Sequence, residues 1–316
     1  MQKVKVGVIG VGYLGQFHAE KYAVMPGVEL VGVVDTDAVR GGFIARKLNT
    51  QWFPEPSRLQ GLVDAVSIVV PTALHHRVAL PFLDRGVHVL LEKPITATLE
   101  EADELIALAG KKKAVFQIGH IERFNPAVGA IRPLLASPRY LTAERAAPFT
   151  VRCTDVNVVL DLMIHDLDIV TDLAGSEPDA VSAAGASVIT REVDVAMARI
   201  LFRNGCVADV TASRVSDEKK RILRVFDGES VYTGDYQSQK ATVARKNGNE
   251  VPELRVADIP TERRDTLNDE ITEFVRCVRT GSSPLVSGRE GRRALALASL
   301  ITDSIARGIS GFVGVS

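Results

Sequence analysis

Residues 7 to 18, Gly-Val-Ile-Gly-Val-Gly-Tyr-Leu-Gly-Gln-Phe-His, leave this chain few ways to begin folding. Gly10, Gly12 and Gly15 form a G-x-G-x-x-G pattern between a β-branched run, Val4 to Ile9, and a helical stretch. Asp35 closes the next apolar run, Val28 to Val34, about twenty residues after the third glycine. In that setting the first glycine permits a tight turn, the second lets a pyrophosphate approach the backbone, and the third lets helix and strand pack closely. N–H groups at the helix start then face the phosphates. Gly10, Gly12, Tyr13, Leu14 and Gly15 are therefore expected to hold a dinucleotide. The Asp35 carboxylate would accept hydrogen bonds from the adenosine ribose and repel a 2′-phosphate, which favours NAD over NADP, with Arg40 the nearby cation that bears on this preference.

Three more short branched runs, Ala65 to Val70, Val87 to Leu91 and Ala114 to Ile118, alternate with segments of helical periodicity. Such alternation implies a parallel sheet covered on both faces. After about residue 119 the style changes to longer strands and tight turns. Asn204-Gly205 marks a hairpin. In its second arm Val207, Asp209, Thr211 and Ser213 point one way, while Ala208, Val210, Ala212 and Arg214 point the other. Helices are predicted over Asp265 to Thr280 and Gly288 to Arg307, and the three lysines at 111 to 113 suit a solvated helix end. The predicted fold class is α/β: a doubly wound parallel sheet over residues 1–119, then an α+β domain with an open, mostly antiparallel sheet over 120–316.

Composition narrows the partners. The 316 residues are 46% hydrophobic, enough for a substantial core. Their 38 basic side chains balance 39 acidic ones, which gives no electrostatic footprint for nucleic acid. Cys153, Cys206 and Cys277 are odd in number and lack metal-ligand spacing, so reduced core thiols and no metal site are expected. Glycines at fixed offsets break the apolar N-terminus, unlike a secretory signal, and no run approaches membrane-spanning length. A cytoplasmic chain with no membrane partner is the expectation.

A dinucleotide presents its reactive ring at the carboxyl ends of parallel strands, so polar residues leaving those ends become candidates for chemistry. Pro71, Thr72 and His75 follow one strand, with His76 an ordinary helix-start residue. Glu92 and Lys93 follow another, and a lysine leaving a buried strand needs a partner or a job. His120, Arg123 and Asn125 follow a third, either as a linker turn or as contacts to a diphosphate or sugar, which an arginine fork suits. Further on, Leu160, Met163, Ile164, Leu167 and Val170 predict an amphipathic helix carrying Asp161, His165 and Asp168 on one face. A carboxylate one turn from an imidazole can orient it as a general base; the plainer role is an exposed pair that only stabilises the helix.

At these motifs the chain resembles the Gfo/Idh/MocA oxidoreductases over nearly its whole length. The resemblance is carried by residues 7 to 18, by Val-Val-Pro-Thr-Ala-Leu-His-His, Leu-Leu-Glu-Lys-Pro and Asp-Leu-Met-Ile-His-Asp-Leu-Asp, and by the closing Pro-Leu-Val-Ser-Gly-Arg-Glu-Gly-Arg-Arg. It implies a Rossmann domain followed by an open-sheet domain that often mediates oligomerisation, with substrate bound between them. It also implies that Lys93, Asp161 and His165 match the family's catalytic triad and that Pro94 follows a cis peptide. Many members carry a glycine-rich run before the Asp-x-x-x-His helix, where this chain has Thr-Asp-Val-Asn-Val-Val.

The stretch Gly-His-Ile-Glu-Arg-Phe-Asn-Pro-Ala-Val is similar to members that oxidise the 3-hydroxyl of UDP-N-acetylglucosamine ahead of transamination for lipid A. Under that resemblance Lys93, Arg123, Asn125, Asp161 and His165 contact the substrate, and Pro71, Thr72, His75, Glu92 and Lys93 join the glycine loop at the cofactor. Other readings are a dehydrogenase of a free sugar or inositol and a non-catalytic nucleotide sensor, the latter having no need of the three triad residues. A homodimer or homotetramer is expected. The residues leave open whether Lys93 or His165 is the formal base.

Overall fold

Six short strands build the first sheet: β1 (Val4–Ile9), β2 (Val28–Val34), β3 (Gln51–Phe53), β4 (Ala65–Ile68), β5 (His88–Glu92) and β6 (Phe116–Gly119). The computed structural model describes residues 3–150, 156–247, 253–308 and 313–314. All pairings are parallel and the strand order is β3-β2-β1-β4-β5-β6. Helices α1 (Gly15–Val24), α2 (Ala38–Lys47), α3 (His75–Asp84) and α4 (Leu99–Lys112) make the crossovers. Every residue of β4 and β6 is buried, as a sheet sandwiched between helices requires. The order reverses between β1 and β4, and at such a switch point the loops leaving the two strands diverge and open a ligand crevice. Strand ends differ from the sequence expectation by one or two residues. Strand β3 was not anticipated, because three residues carry too little periodicity to register.

The second sheet has nine strands, in order β14-β13-β12-β11-β7-β10-β9-β8-β15. They are β7 (Pro138–Ala146), β8 (Pro178–Ala186), β9 (Val195–Phe202), β10 (Val207–Ser213), β11 (Lys220–Asp227), β12 (Ser230–Asp235), β13 (Lys240–Asn247), β14 (Glu253–Ile259) and β15 (Val313–Gly314). Pairing is antiparallel except between β10 and β7. The Asn204-Gly205 turn joins β9 to β10, with Gly205 at φ +85°. In β10 Ala208, Val210 and Ala212 are buried and their neighbours half-buried, the alternation predicted for that arm. Helices α5 (Pro126–Ile131) and α6 (Ile164–Ala174) pack with the inner face around Leu141, Ala143, Val210 and Leu223. Cys206 and Cys277 are buried free thiols, and Cys153 lies outside the described residues. Among the described residues no helix is long and apolar enough to cross a membrane.

Two compact units result: Met1–His120 with Asp265–Arg292, and Ile121–Arg264 with Arg293–Ser316. The expected single boundary near residue 120 is thus only half of the division. Helix α7 (Thr266–Thr280), begun by the Asp265 side chain capping Asn268 N–H, returns to the first unit. Its buried Leu267, Ile271, Phe274 and Val275 form the apolar stripe, Asp265 pairs with Lys21, and Arg279 donates to the Gly27 carbonyl at 2.7 Å. These local contacts outweigh proximity in sequence. Helix α8 (Gly288–Arg307) runs from the first unit's residues into the second's, where Ala294, Leu297, Ala298 and Ile301 join the core.

The helix carrying Asp161 and His165 departs from the expected amphipathic form. Val159–Met163 is a π-helical turn that leads into α6, and nearly all of α6 is buried. Its acids are tolerated there because each meets a guanidinium. Arg145 on β7 grips Asp166 with two bonds, at 2.6 and 3.1 Å, and reaches Glu122 at 3.1 Å. Burial works against the Arg145 charge, but these two carboxylates more than offset it and raise its pKa above the ordinary arginine range. Arg145→Met would strand the buried Asp166 carboxylate and leave Glu122 with Arg221 as its cation, an effect of about 3–5 kcal/mol when one partner of a buried pair is removed. Urea unfolding followed by circular dichroism should show that loss; a change under about 1 kcal/mol would mean the carboxylates are effectively solvated.

Candidate active site

The glycine loop separates the three roles assigned to it. Gly10 has φ +84°, and a Cβ there would lie 2.3 Å from the Val69 carbonyl oxygen just past β4, so only glycine fits the turn between β1 and α1. A Cβ on Gly15 would lie 1.8 Å from the Gly10 carbonyl oxygen, so α1 rests on the loop with no room for a side chain. Gly12 has open space around it, with nothing within 4 Å of the same test atom. The backbone is therefore bare on the side from which a phosphate would approach. Helices α2, α4 and α7 are capped by Asp37, Thr98 and Asp265, whereas α1 has Leu14 at that position, which provides no side-chain cap. An uncapped helix start beside a bare glycine suits a diphosphate, whose oxygens can accept the first-turn N–H groups. Tyr13 projects from this loop, 65% exposed and edge-on to Phe17.

Asp35 leaves the end of β2 and is nearly buried. One carboxylate oxygen accepts from Val11 N–H at 3.0 Å and the other from Asp37 N–H at 2.9 Å, which aims the group at the glycine loop. Arg40 lies 3.2 Å from the same carboxylate. Pro71 is exposed and Thr72 half-buried in the turn after β4. His75 takes a different position from the cofactor contact expected of it. Its ring is buried, with the nitrogens 2.8 Å from Pro94 O and 2.9 Å from Val70 O, and burial lowers its pKa. It ties the turn after β4 to the turn after β5, and so bears on Lys93 through the backbone. His76, as expected of a helix-start residue, makes an exposed contact with Glu104. Lys93 stands half-buried at the exit of β5, and the Lys93-Pro94 peptide is cis.

In the second unit Asp161 and His165 are both half-buried, one in the π-helical turn and the other in the first turn of α6. A π turn shifts helical phase locally and is frequent at functional sites. Asp168 does not share their surroundings, since it is buried and lies 3.1 Å from Arg123. Arg123 and Asn125, expected at the substrate, are committed elsewhere. Arg123 is buried between Asp168 and Asp172, and Asn125 is buried as the cap of α5, donating also to Glu122 and the Tyr236 carbonyl. An arginine that balances two buried carboxylates is not available as a fork for phosphate without exposing them.

Two residues that the sequence analysis passed over belong to the floor beneath Lys93. His18 on α1 has Nε2 3.3 Å from Glu92 Oε1, and Glu270 on α7 is fully buried beside them. These three are the group among the described residues whose ligand atoms lie close enough, within 4.8 Å of one another, to hold a metal ion. The signal was present in the sequence: Glu270 occupies a core position in the apolar stripe of α7, where a carboxylate is out of place.

Known proteins agree with this geometry. The family description "Oxidoreductase family, NAD-binding Rossmann fold" matches residues 4–120, and "GFO/IDH/MocA C-terminal domain" matches residues 134–230. A UDP-N-acetylglucosamine 3-dehydrogenase of Acidithiobacillus ferrooxidans is 41% identical over 302 residues, 94% of this chain and 96% of that protein. The chain belongs to the Gfo/Idh/MocA oxidoreductase family. A solved structure of the Acidithiobacillus enzyme has a TM-score of 0.93 at 39% identity, covering 97% of this chain and 99% of its own. Another Gfo/Idh/MocA relative, the scyllo-inositol 2-dehydrogenase (NAD(+)) of Bacillus subtilis, is 28% identical over 328 residues, 97% of this chain and 95% of that protein. Levoglucosan dehydrogenase, solved with NADH and levoglucosan, shares the fold at a TM-score of 0.88 and 20% identity, covering 99% of this chain and all of its own.

As a Gfo/Idh/MocA member the chain is a dehydrogenase with an NAD-binding domain, and Gly10, Gly12, Gly15, Leu14 and Asp35 fit that cofactor. Gly12→Val should leave the melting temperature within about 2 °C yet weaken NAD binding at least about tenfold, because the added methyls fill only the phosphate's space. Gly15→Val should instead lower the melting temperature sharply. Scanning calorimetry and a fluorescence titration with NADH separate the two effects; equal loss of stability in both variants would refute the division of roles.

Proposed function

We propose that this dehydrogenase oxidises a secondary hydroxyl of a nucleotide sugar, the 3-hydroxyl of UDP-N-acetylglucosamine, with NAD as the acceptor. The supporting observation is the 41% identity, sustained over 94% of the chain, to an enzyme of that name, against 28% for the inositol dehydrogenase. NAD, when bound, takes the hydride from the carbinol carbon. Lys93, at the exit of β5, donates from its ammonium to the carbinol oxygen and stabilises the negative charge that develops there. His165 accepts the hydroxyl proton and is oriented by Asp161, four residues earlier. A physiological reductase would use the same groups in reverse. Arg123 and Asn125 have no part in this proposal, since their polar groups are engaged within the second unit.

The expected form is a cytoplasmic homodimer or homotetramer, supported by exposed Met197, Leu254 and Val256 on strands of the second sheet. Turnover is tested by following reduced nicotinamide across UDP-sugars, free sugars and inositols, with NAD and NADP in parallel. UDP-N-acetylglucosamine should be the preferred substrate; activity confined to free polyols would overturn the substrate assignment. Lys93→Ala should lower turnover on the order of 10²-fold or more while NADH titration stays near wild type, and unchanged turnover would remove Lys93 from the chemistry.

A further inference from the structure

The floor beneath Lys93 is a buried polar set drawn from four elements of the first unit, α1, β4, β5 and α7. Glu92, the last residue of β5, turns its carboxylate inward. Its Oε2 accepts the Lys93 backbone N–H at 3.3 Å, and its Oε1 lies 3.3 Å from His18 Nε2. A Cβ on Gly119 would come within 2.8 Å of the same Oε1, so the carboxylate lies flat against β6 and glycine is what admits it. Behind His18, Nδ1 lies 3.3 Å from Ser67 Oγ, which in turn lies 2.8 Å from the Tyr22 hydroxyl. Glu270 completes the set from α7; it is fully buried, and neither of its carboxylate oxygens has a hydrogen-bond partner.

Burial raises the Tyr22 pKa, so its hydroxyl stays protonated, and either oxygen of the Tyr22–Ser67 pair can be the donor. With the serine as donor to His18 Nδ1, the tautomer that carries its N–H on Nε2 faces Glu92, 3.3 Å away. Glu92 thus accepts the Lys93 amide at one oxygen and meets the imidazole edge at the other. Burial, and then the Glu92 charge, push the Glu270 pKa well above the ordinary carboxylate range.

We propose that His18 is a positioning residue for Lys93: it holds the Glu92 carboxylate against the Lys93 amide, and the buried side chain of Glu270 closes the set from the other side. The chain Tyr22, Ser67, His18, Glu92, Lys93 amide converts the rigidity of α1 and β4 into a fixed exit direction for the lysine. The inference rests on Lys93 acting at the reacting oxygen. A small displacement of such a group lowers turnover without touching affinity for the nucleotide.

A double-mutant cycle tests it. His18→Leu should lower kcat about tenfold in the wild-type background and have no further effect on the residual turnover of Lys93→Ala, because it acts through that side chain. KM for the sugar nucleotide and the NADH titration should move less than about twofold. His18→Gln, whose amide can still donate to Glu92, should recover most of the turnover. Glu270→Leu should lower kcat, and Glu270→Gln, which keeps a hydrogen-bonding group, should restore it. If His18→Leu does not fold by calorimetry, the cycle is run with His18→Asn, whose amide is too short to reach Glu92.

Additive losses would overturn the inference, as would a Glu270→Gln variant no better than Glu270→Leu. Elemental analysis showing one tightly held divalent ion per chain, lost on His18→Leu, would overturn it in favour of a metal centre. An unaltered Lys93→Ala enzyme would instead sink the role proposed for Lys93, a distinguishable failure.

Discussion

The close approach of α1 to the glycine loop, where a Cβ on Gly15 would meet the Gly10 carbonyl oxygen, is the constraint on which the nucleotide end depends. With no side chain between them, α1 lies directly on the ends of β1 and β4. That depth has two consequences. The uncapped first turn is brought level with the bare Gly12 backbone, and one turn further on His18 and Tyr22 reach Ser67 inside the sheet. A larger residue at 15 would lift the helix and separate both sets of contacts at once. The cofactor's phosphate seat and the support under Lys93 are therefore two ends of the same packing decision.

The second unit is organised by a different necessity. It buries acids on α6 and at Glu122, and each is matched by an arginine from another element: Arg145 for Asp166 and Glu122, Arg123 for Asp168 and Asp172. Pairing of this kind contributes little net stability relative to a well-packed apolar core, but removing one partner is severe, so the charges specify how α6 lies on the sheet. Asp161 and His165 lie half-buried on the π-helical turn and the turn after it.

Much of the fold was legible in the sequence because its strands are short, branched and evenly interrupted. The glycine spacing was informative for the same reason: each glycine answers a steric demand that no other residue meets. The Asn204-Gly205 hairpin followed from turn chemistry alone. What escaped was whatever depended on partners distant in the chain. Arg123 and Asn125 looked like ligand contacts because polar residues after a strand usually face outward; nothing local reveals that Asp168, Asp172 and Tyr236 wait for them. The stripe on the Asp161 helix was overdrawn, since periodicity cannot register that Asp166 and Asp168 have buried arginine partners. Glu270 was missed although it stands in a core position, because a single acid in an amphipathic pattern is easily assigned to the solvent side.

Helix α7 belongs to the nucleotide-binding unit although nearly half the chain is made between β6 and its first turn. During synthesis, the six-stranded sheet emerges early with one flank bare, leaving His18, Glu92 and the apolar patch around them facing water or a chaperone. Only when the ribosome has passed residue 280 can that flank be covered. The last-made sixth of the polypeptide therefore acts as a licence on the first part: a prematurely terminated chain would retain the glycine loop yet lack the buried floor under its lysine.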